Sequence, residues 1–114
     1  MLRDNPNIGG EISEKLNQSD ISLLVNAASD SDMTVRMQAT ELLYVLRDKR
    51  VVSDSLNAVH QNSNENGVYN NLLILKELVP TLDYTERKCV KDDVMNAVPF
   101  GYFKARSLAE TIDP

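Results

Sequence analysis

Two pairs of carboxylates are the residues of this chain best suited by type and spacing to acid–base chemistry. Asp30 and Asp32 are separated by one serine, and Asp92 and Asp93 are adjacent. Acid–base catalysis needs such groups to meet a substrate at hydrogen-bonding distance. Asp30 and Asp32 instead stand just before an apolar helical pattern, where acidic side chains cap helix N-termini. Asp92 and Asp93 follow Lys91 on a face that the pattern predicts to be solvated, so we predict structural roles for both pairs.

His60 is the only histidine of the chain. A transition-metal site needs further His or Cys ligands, and a nucleophilic site needs a Ser or Cys beside its base. His60 has neither nearby in sequence, and it precedes a polar turn, where a surface histidine at a helix C-terminus is ordinary. The sequence also has no glycine-rich phosphate loop, His-Glu metal motif or Gly-x-Ser-x-Gly elbow. We therefore expect a protein that is not an enzyme and that holds no cofactor and no metal.

Cys89 is the only cysteine, so the chain cannot form an internal disulfide. Its neighbours in sequence include three cations: Arg87, Lys88 and Lys91. Cationic neighbours can activate a thiol. However, Leu23, Leu56 and Cys89 are evenly spaced along the chain and form an apolar column of the predicted helices. We expect Cys89 to be buried in that column, as free cysteines commonly are.

The composition is that of one globular domain. A chain of 114 residues can bury a core without disulfides or metals. Hydrophobic residues make up 42%, but aromatic residues only 5%, which favours aliphatic packing between helices. A net charge of −5 argues against general nucleic-acid binding, which needs clustered Lys and Arg. No stretch reaches the roughly 18 apolar residues of a membrane span, and no signal peptide is visible, so we expect a cytoplasmic protein.

Apolar residues recur with helical spacing along the whole chain. One face of the clearest predicted helix carries Val35, Ala39, Leu42, Leu43 and Leu46. The polar run at residues 62–66 predicts a turn. Pro80 ends a second long apolar stripe, and Pro99 suits the first turn of the last helix. No long stretch alternates with a period of two, so the predicted fold class is all-α.

The long predicted helices repeat at one fixed spacing. The positions that match in three copies are Val35, Ala39, Leu42 and Leu46, then Val68, Leu72, Leu75 and Val79, then Gly101, Ala105, Leu108 and Ile112. Each copy is predicted to be a short helix, a turn and a longer helix. Such a unit buries its apolar face only against its neighbours, as in an α-solenoid. The alternative is a helical bundle without repeats whose helices have similar lengths.

Residues 30–46 contain an acidic turn, then Val35-Arg36, then Ala39 and Leu42. This segment resembles the HEAT-repeat signature, although the second copy has Val68-Tyr69 in place of Val-Arg. The resemblance implies a short right-handed α-solenoid of about three antiparallel helix pairs, whose second helices line a concave, protein-binding face. We expect one domain over residues 1–114. Its parts would be a flexible tail at 1–7, a capping helix at 8–18, and helix pairs at 19–48, 52–80 and 84–113.

The predicted concave face carries Tyr and Arg, the residue types that dominate binding hot spots. A cluster of aromatic residues lies near the C-terminal end of the chain. The residues expected to contact a partner protein are Arg36, Glu41, Tyr44, Tyr69, Lys76, Phe100, Tyr102 and Phe103. Phe100, Tyr102 and Phe103 are half of the chain's aromatic residues. If exposed, they would bind a partner or a second copy of the chain, and if folded inward they would close the core. The sequence leaves both outcomes open.

A nucleic-acid-contacting helical-repeat protein is the alternative function. The segment at residues 47–50 concentrates positive charge between two predicted helices of an otherwise acidic chain. The cations that would contact phosphate groups are Arg36, Arg47, Lys49, Arg50, Lys104 and Arg106. The net negative charge favours protein binding over this alternative.

Overall fold

A computed structural model describes residues 11–12, 14–61 and 64–112. As predicted, this part of the chain is all-α, with no strand. Its helices are α1 (Gln18–Ala27), α2 (Met33–Leu46), α3 (Arg50–Gln61), α4 (Glu65–Leu78), α5 (Tyr84–Ala97) and α6 (Phe103–Glu110). The tail predicted at 1–7, and residues 8–10 and 13 of the predicted capping helix, lie outside the described residues. Residues 11 and 12 of that predicted helix are helical, but residues 14–17 are not, and Gln18 already belongs to α1, so the prediction of one helix over 8–18 is wrong at its C-terminal part.

Polar side chains cap the N-termini of four helices, among them α4, where the Asn64 side chain accepts from the Gly67 N–H. At α1, the Asn17 side chain accepts from the Asp20 N–H while the Asp20 carboxylate accepts from the Asn17 N–H. Asp83 and Glu86 form the same reciprocal capping box at α5. At α2, Asp32 accepts from two backbone N–H groups of the first turn. Asp32 therefore has the capping role predicted for it from the sequence.

The six helices pack as three successive pairs. α1 packs against α2, α3 against α4 and α5 against α6. Corresponding helices of neighbouring pairs are also in contact, so that α1, α3 and α5 form a first layer and α2, α4 and α6 form a second layer. The second pair therefore contacts a neighbouring pair on each of its two sides.

The buried apolar residues form two core clusters, one on each side of the second pair. The first cluster consists of Ile21, Val25, Ala28, Ala39, Leu43, Leu46, Val51, Ile74 and Leu78, with Ile12 and Leu16 packed against it. The second consists of Val59, Val68, Leu72, Leu75, Val79, Leu82, Val90, Val94, Val98, Ala105, Ala109 and Ile112. Both α3 and α4 contribute to both clusters. The second pair thus buries apolar side chains against each of its neighbours.

The buried face of α2 differs from the predicted stripe. Ala39 and Leu46 are buried as expected, but Val35 has an exposed fraction of 39% and Leu42 is only partly buried. Leu43 is fully buried, and it is Leu43, not the predicted Leu42, that corresponds to the fully buried Leu75 of α4. Matching buried positions of α2 and α4 are therefore one residue closer in sequence than predicted. The predicted spacing therefore placed the buried face of α2 too close to Val35. The face that packs on α1 and α4 contains Leu43 instead.

The column of Leu23, Leu56 and Cys89 is not the buried column of the first layer. Leu23 has an exposed fraction of 67%, Leu56 is partly buried, and Cys89 is exposed, so the prediction of a buried Cys89 is wrong. The buried column instead contains Val25, Val59 and Val94, which are spaced more widely than the predicted column. Matching buried residues are farther apart in sequence in the first layer than in the second. A prediction that uses one repeat length for both layers therefore assigns the wrong residues to the buried face of the first layer.

The third pair reverses the predicted order of helix lengths. α5 has 14 residues and α6 only 8. Val98 is extended, as expected for a residue before proline, and it ends α5. Pro99 lies in the following turn, where its carbonyl accepts from the Tyr102 N–H at 3.1 Å, and α6 begins at Phe103. The prediction of Pro99 in the first turn of the last helix is therefore wrong.

Candidate protein-binding surface

The turn between α5 and α6 presents two aromatic rings to solvent. Phe100 and Phe103 each have an exposed fraction of 78%, whereas Tyr102 between them is partly buried against the second core cluster. The sequence left open whether these rings close the core or lie at the surface. Tyr102 packs inward and both phenylalanines lie outward. We refer to Phe100 and Phe103 as the aromatic patch.

Arg106 contacts Phe100, one of the two rings of the aromatic patch. Its guanidinium donates to the carbonyl oxygens of Met95 and Val98, at 2.7 and 3.2 Å, where α5 ends. A cation suits these carbonyls because the last carbonyls of a helix are unsatisfied and carry partial negative charge. The same guanidinium lies 4.4 Å from the centroid of the Phe100 ring, within the range of a cation–π contact. The ring is therefore positioned by the fold while remaining exposed, and a positioned ring loses less conformational entropy on binding.

A groove of about 450 Å³ lies beside the patch, between α4 and α6. We call it the α4–α6 groove, and its lining is Tyr69, Lys76, Phe103, Lys104, Ser107, Leu108 and Thr111. The structure thus brings together three residues predicted to bind a partner, Tyr69, Lys76 and Phe103, from two helix pairs. Lys104, Ser107, Leu108 and Thr111 complete the lining but were not predicted as partner contacts.

Three further predicted contact residues, Arg36, Glu41 and Tyr44, lie on α2 and do not line this groove. The Arg36 guanidinium donates to the carbonyl of Asp30 at 3.0 Å and closes the turn before α2. Tyr44 is partly buried and packs against the first core cluster, and Glu41 is also partly buried. The structure therefore does not join these α2 residues to the groove between α4 and α6.

Met33 and Met37 are exposed apolar residues on α2 that were not predicted as contacts. They are one helical turn apart and so lie on one face of the helix. Their spacing was the available signal, because paired flexible methionines are typical of adaptable binding surfaces. A prediction based on the tyrosines and arginines of the second layer does not include them.

The basic segment at residues 47–50 has its charge largely compensated. Arg50 Nη2 lies 2.7 Å from Asp48 Oδ2, and this hydrogen-bonded pairing raises the pKa of the Arg50 guanidinium. Arg50 also donates to the carbonyl of Leu16 at 2.9 Å. Arg47 pairs with Glu77 of α4 at 2.7 Å. Both arginines therefore hold neighbouring segments of the fold together, which gives the basic segment a structural role.

In the first layer, polar side chains join neighbouring helices. Asp54 of α3 accepts from Gln18 and Ser22 of α1, each at 2.8 Å. His60 Nε2 of α3 lies 2.8 Å from Asp93 Oδ1 of α5. Asp93, predicted to lie on a solvated face, keeps a side-chain exposed fraction of 40% and also forms this contact. His60 thus joins two helix pairs, a role that its sequence neighbours did not indicate.

Within residues 11–12, 14–61 and 64–112, no group of three or more His, Cys, Asp and Glu side chains is placed to hold a metal ion. Over the same residues, no helix is both long and apolar enough to cross a membrane.

The chain matches no protein-family model, no curated protein and no solved structure. The candidate surface is therefore characterised by its own residues and contacts.

Proposed function

We propose that this chain is a non-enzymatic protein-interaction or scaffold module, built as a short HEAT-like α-solenoid. The observation that carries the proposal is the aromatic patch, in which Phe100 and Phe103 are each 78% exposed. Large exposed apolar side chains that lie close together are typical of protein–protein contacts, and aromatic residues are enriched at interfaces. The patch adjoins a groove that could receive part of a partner.

Two further observations support the solenoid part of the proposal. Corresponding helices of neighbouring pairs contact each other in both layers. Two core clusters flank the second pair, so each pair buries apolar side chains against the next. Stacked repeats bury their cores in this way. The resemblance of residues 30–46 to the HEAT signature is consistent with the same architecture.

Nucleic-acid contact has less support. Four arginines of the predicted phosphate-binding set hydrogen-bond to protein oxygens, with backbone carbonyl or carboxylate partners: Arg36, Arg47, Arg50 and Arg106. A protein that binds nucleic acid gains most of its affinity from cations that neutralise phosphates. Retention on heparin at low salt tests the alternative directly. Protein binding predicts early elution, and strong retention that falls steeply with salt would favour nucleic acid.

A pull-down from lysate of the source cells, read by mass spectrometry, tests protein binding at the patch. Wild type is compared with Phe100→Ser/Phe103→Ser and with the control Leu23→Ser, which removes an apolar side chain 67% exposed on α1. Circular dichroism establishes that all three are folded. We expect at least one protein to be retained by wild type and the control and lost from the double variant. Equal retention by all three would contradict the proposal.

The same patch offers a surface for self-association. Two phenylalanines that become buried between copies would each contribute about 1.5–3 kcal/mol, offset in part by the cost of association. Sedimentation equilibrium separates this case from binding of another protein. A dimer of wild type that dissociates in the Phe100→Ser/Phe103→Ser variant supports self-association, and a wild-type monomer at every concentration excludes it.

A further inference from the structure

The α4–α6 groove combines apolar and cationic side chains. Phe103, Leu108 and the ring of Tyr69 supply apolar surface, while Lys76 and Lys104 supply two positive charges. No carboxylate is among the lining residues of this groove. The chain as a whole carries a net charge of −5. The groove is therefore locally positive on an acidic protein, which favours a ligand that carries negative charge.

The two lysines of the groove differ from Lys91, whose ammonium group bonds within the fold. Lys91 donates to the carbonyls of Ala109 and Glu110, at 2.9 and 2.8 Å, and thereby holds the end of α6. In the described part of the chain, the side-chain ammonium groups of Lys76 and Lys104 form no hydrogen bond or salt bridge, and both residues are exposed. Their charges serve no contact within the fold and are open to a ligand.

The length of the groove limits the size of its occupant. Along α6 the lining runs from Phe103 to Thr111, which at 1.5 Å per residue is about 12 Å. An extended peptide covers that distance with about four residues. The lining is thus long enough for a short peptide segment with a few side chains.

We propose that the α4–α6 groove binds a short acidic segment of a partner protein. Carboxylates of the segment pair with Lys76 and Lys104, and one of its apolar side chains packs on Leu108 and the Phe103 ring. The inference rests on the proposed function, because it names the chemistry of the partner. It predicts that affinity falls with salt, since the lysines are solvent-exposed and their attraction is screened.

Fluorescence polarisation with labelled hexapeptides tests the proposal. The probe is a peptide of alternating glutamate and leucine, and the control peptides alternate lysine with leucine or glutamate with serine. The protein variants are Lys76→Glu/Lys104→Glu and, with the same change in net charge, Lys15→Glu/Lys88→Glu, whose lysines are exposed and outside the groove. Circular dichroism and thermal melting establish that the variants are folded.

We expect wild type to bind the glutamate–leucine peptide more tightly than either control peptide. The groove variant should lose at least about tenfold in affinity, whereas the matched variant should lose much less, because its charges lie away from the ligand. Nuclear magnetic resonance shifts on adding the peptide should concentrate on Tyr69, Ser107 and Leu108. Equal losses in both variants, preference for the lysine–leucine peptide, or shifts elsewhere would overturn the proposal.

A second copy of the chain is the competing occupant. If wild type is a dimer that Lys76→Glu/Lys104→Glu dissociates, and the peptide competes with dimer formation, the groove binds another copy and the proposal of a different partner is wrong. Failure here is distinguishable from failure of the proposed function. A protein captured through Phe100 and Phe103 in the pull-down, without any peptide binding in the groove, would contradict this inference alone.

Discussion

Gly67 of α4 lies directly against Ser29, in the turn between α1 and α2. A Cβ atom on Gly67 would lie 2.8 Å from the Ser29 Cβ and 2.8 Å from its Oγ. The fully buried Asn71 donates to the same Ser29 Oγ at 3.1 Å, and Asn64 donates to the Ser29 carbonyl at 3.2 Å. The first and second helix pairs are thus joined at a point where only a glycine leaves enough room.

This close approach predicts the effect of Gly67→Ala. In an open helix the substitution would stabilise by about 1 kcal/mol through helix propensity. Here the added methyl group must displace Ser29, and we expect a loss of about 1–3 kcal/mol, the usual cost of overpacking. Urea unfolding measures the change. Gly101→Ala is the control, because beyond its two chain neighbours no atom lies within 4 Å of a Cβ at Gly101, and it should have little effect.

A compensating substitution tests the cause of that loss. Ser29→Gly removes the atoms nearest to the added methyl group, so Gly67→Ala should cost less in the Ser29→Gly background than in wild type. If Gly67→Ala stabilises the protein, or if Ser29→Gly does not reduce its cost, the two helix pairs do not approach as described.

The buried face of α2 gives a second prediction. Leu43 is fully buried, and Leu43→Ala should reduce the free energy of unfolding by about 2–5 kcal/mol, through lost transfer energy and the cavity that remains. Val35 is 39% exposed, so Val35→Ala should change it by less than about 0.5 kcal/mol. Chemical denaturation measures both. A larger loss of stability for Val35→Ala than for Leu43→Ala would contradict the buried face described for α2.

The cap of α5 gives a prediction about acid stability. The pKa of Asp83 is lowered, chiefly by the hydrogen bond from the Glu86 backbone N–H, with smaller effects of the Glu86 side chain and the Lys49 charge. A carboxylate with a lowered pKa in the folded state stabilises the protein above its unfolded pKa. That stabilisation is lost as the pH falls through the folded pKa.

Asp83→Asn tests this dependence, because asparagine retains a capping oxygen without the charge. The stability difference between wild type and Asp83→Asn should be constant above about pH 5 and shrink below about pH 3.9, the ordinary pKa of aspartate. Thermal melting across this range measures it, and Asp83→Ser, another uncharged cap, should behave in the same way. A difference that grows on acidification would contradict the lowered pKa.

The sequence was sufficient to predict the helices but not their exact packing. Helix periodicity and capping residues such as Asp32 and Asp83 are local, so the all-α fold and the starts of α2 and α5 could be read directly. The inward faces depend on how each pair sits on the next. In the second layer Leu43 corresponds to Leu75, and in the first layer Val25 corresponds to Val59. The sequence separation is longer in the first layer. A single period cannot describe both layers, which is why Val35 and Cys89 were misplaced.

The candidate surface was predictable only in part. The cluster of Phe100, Tyr102 and Phe103 is visible in sequence, but the Phe100 ring packs on Arg106, which reaches back to the end of α5. The groove forms only because α4 and α6 lie side by side. The predicted repeat gave the third pair a short helix followed by a long one, so it did not predict the short α6. The sequence indicated Lys104 only as a possible phosphate contact, because its place in one groove with Lys76 is a tertiary feature.

Photo-crosslinking in the source cells tests the central claim most directly. Benzoylphenylalanine is placed at position 103 in one sample and at position 84 in another, where the Tyr84 side chain of α5 is 60% exposed. A partner that docks on the aromatic patch should be crosslinked from position 103 as a discrete, heavier product that contains a second polypeptide, and not from position 84. No product from position 103, or the same products from both positions, would contradict the proposal that Phe100 and Phe103 form the binding surface.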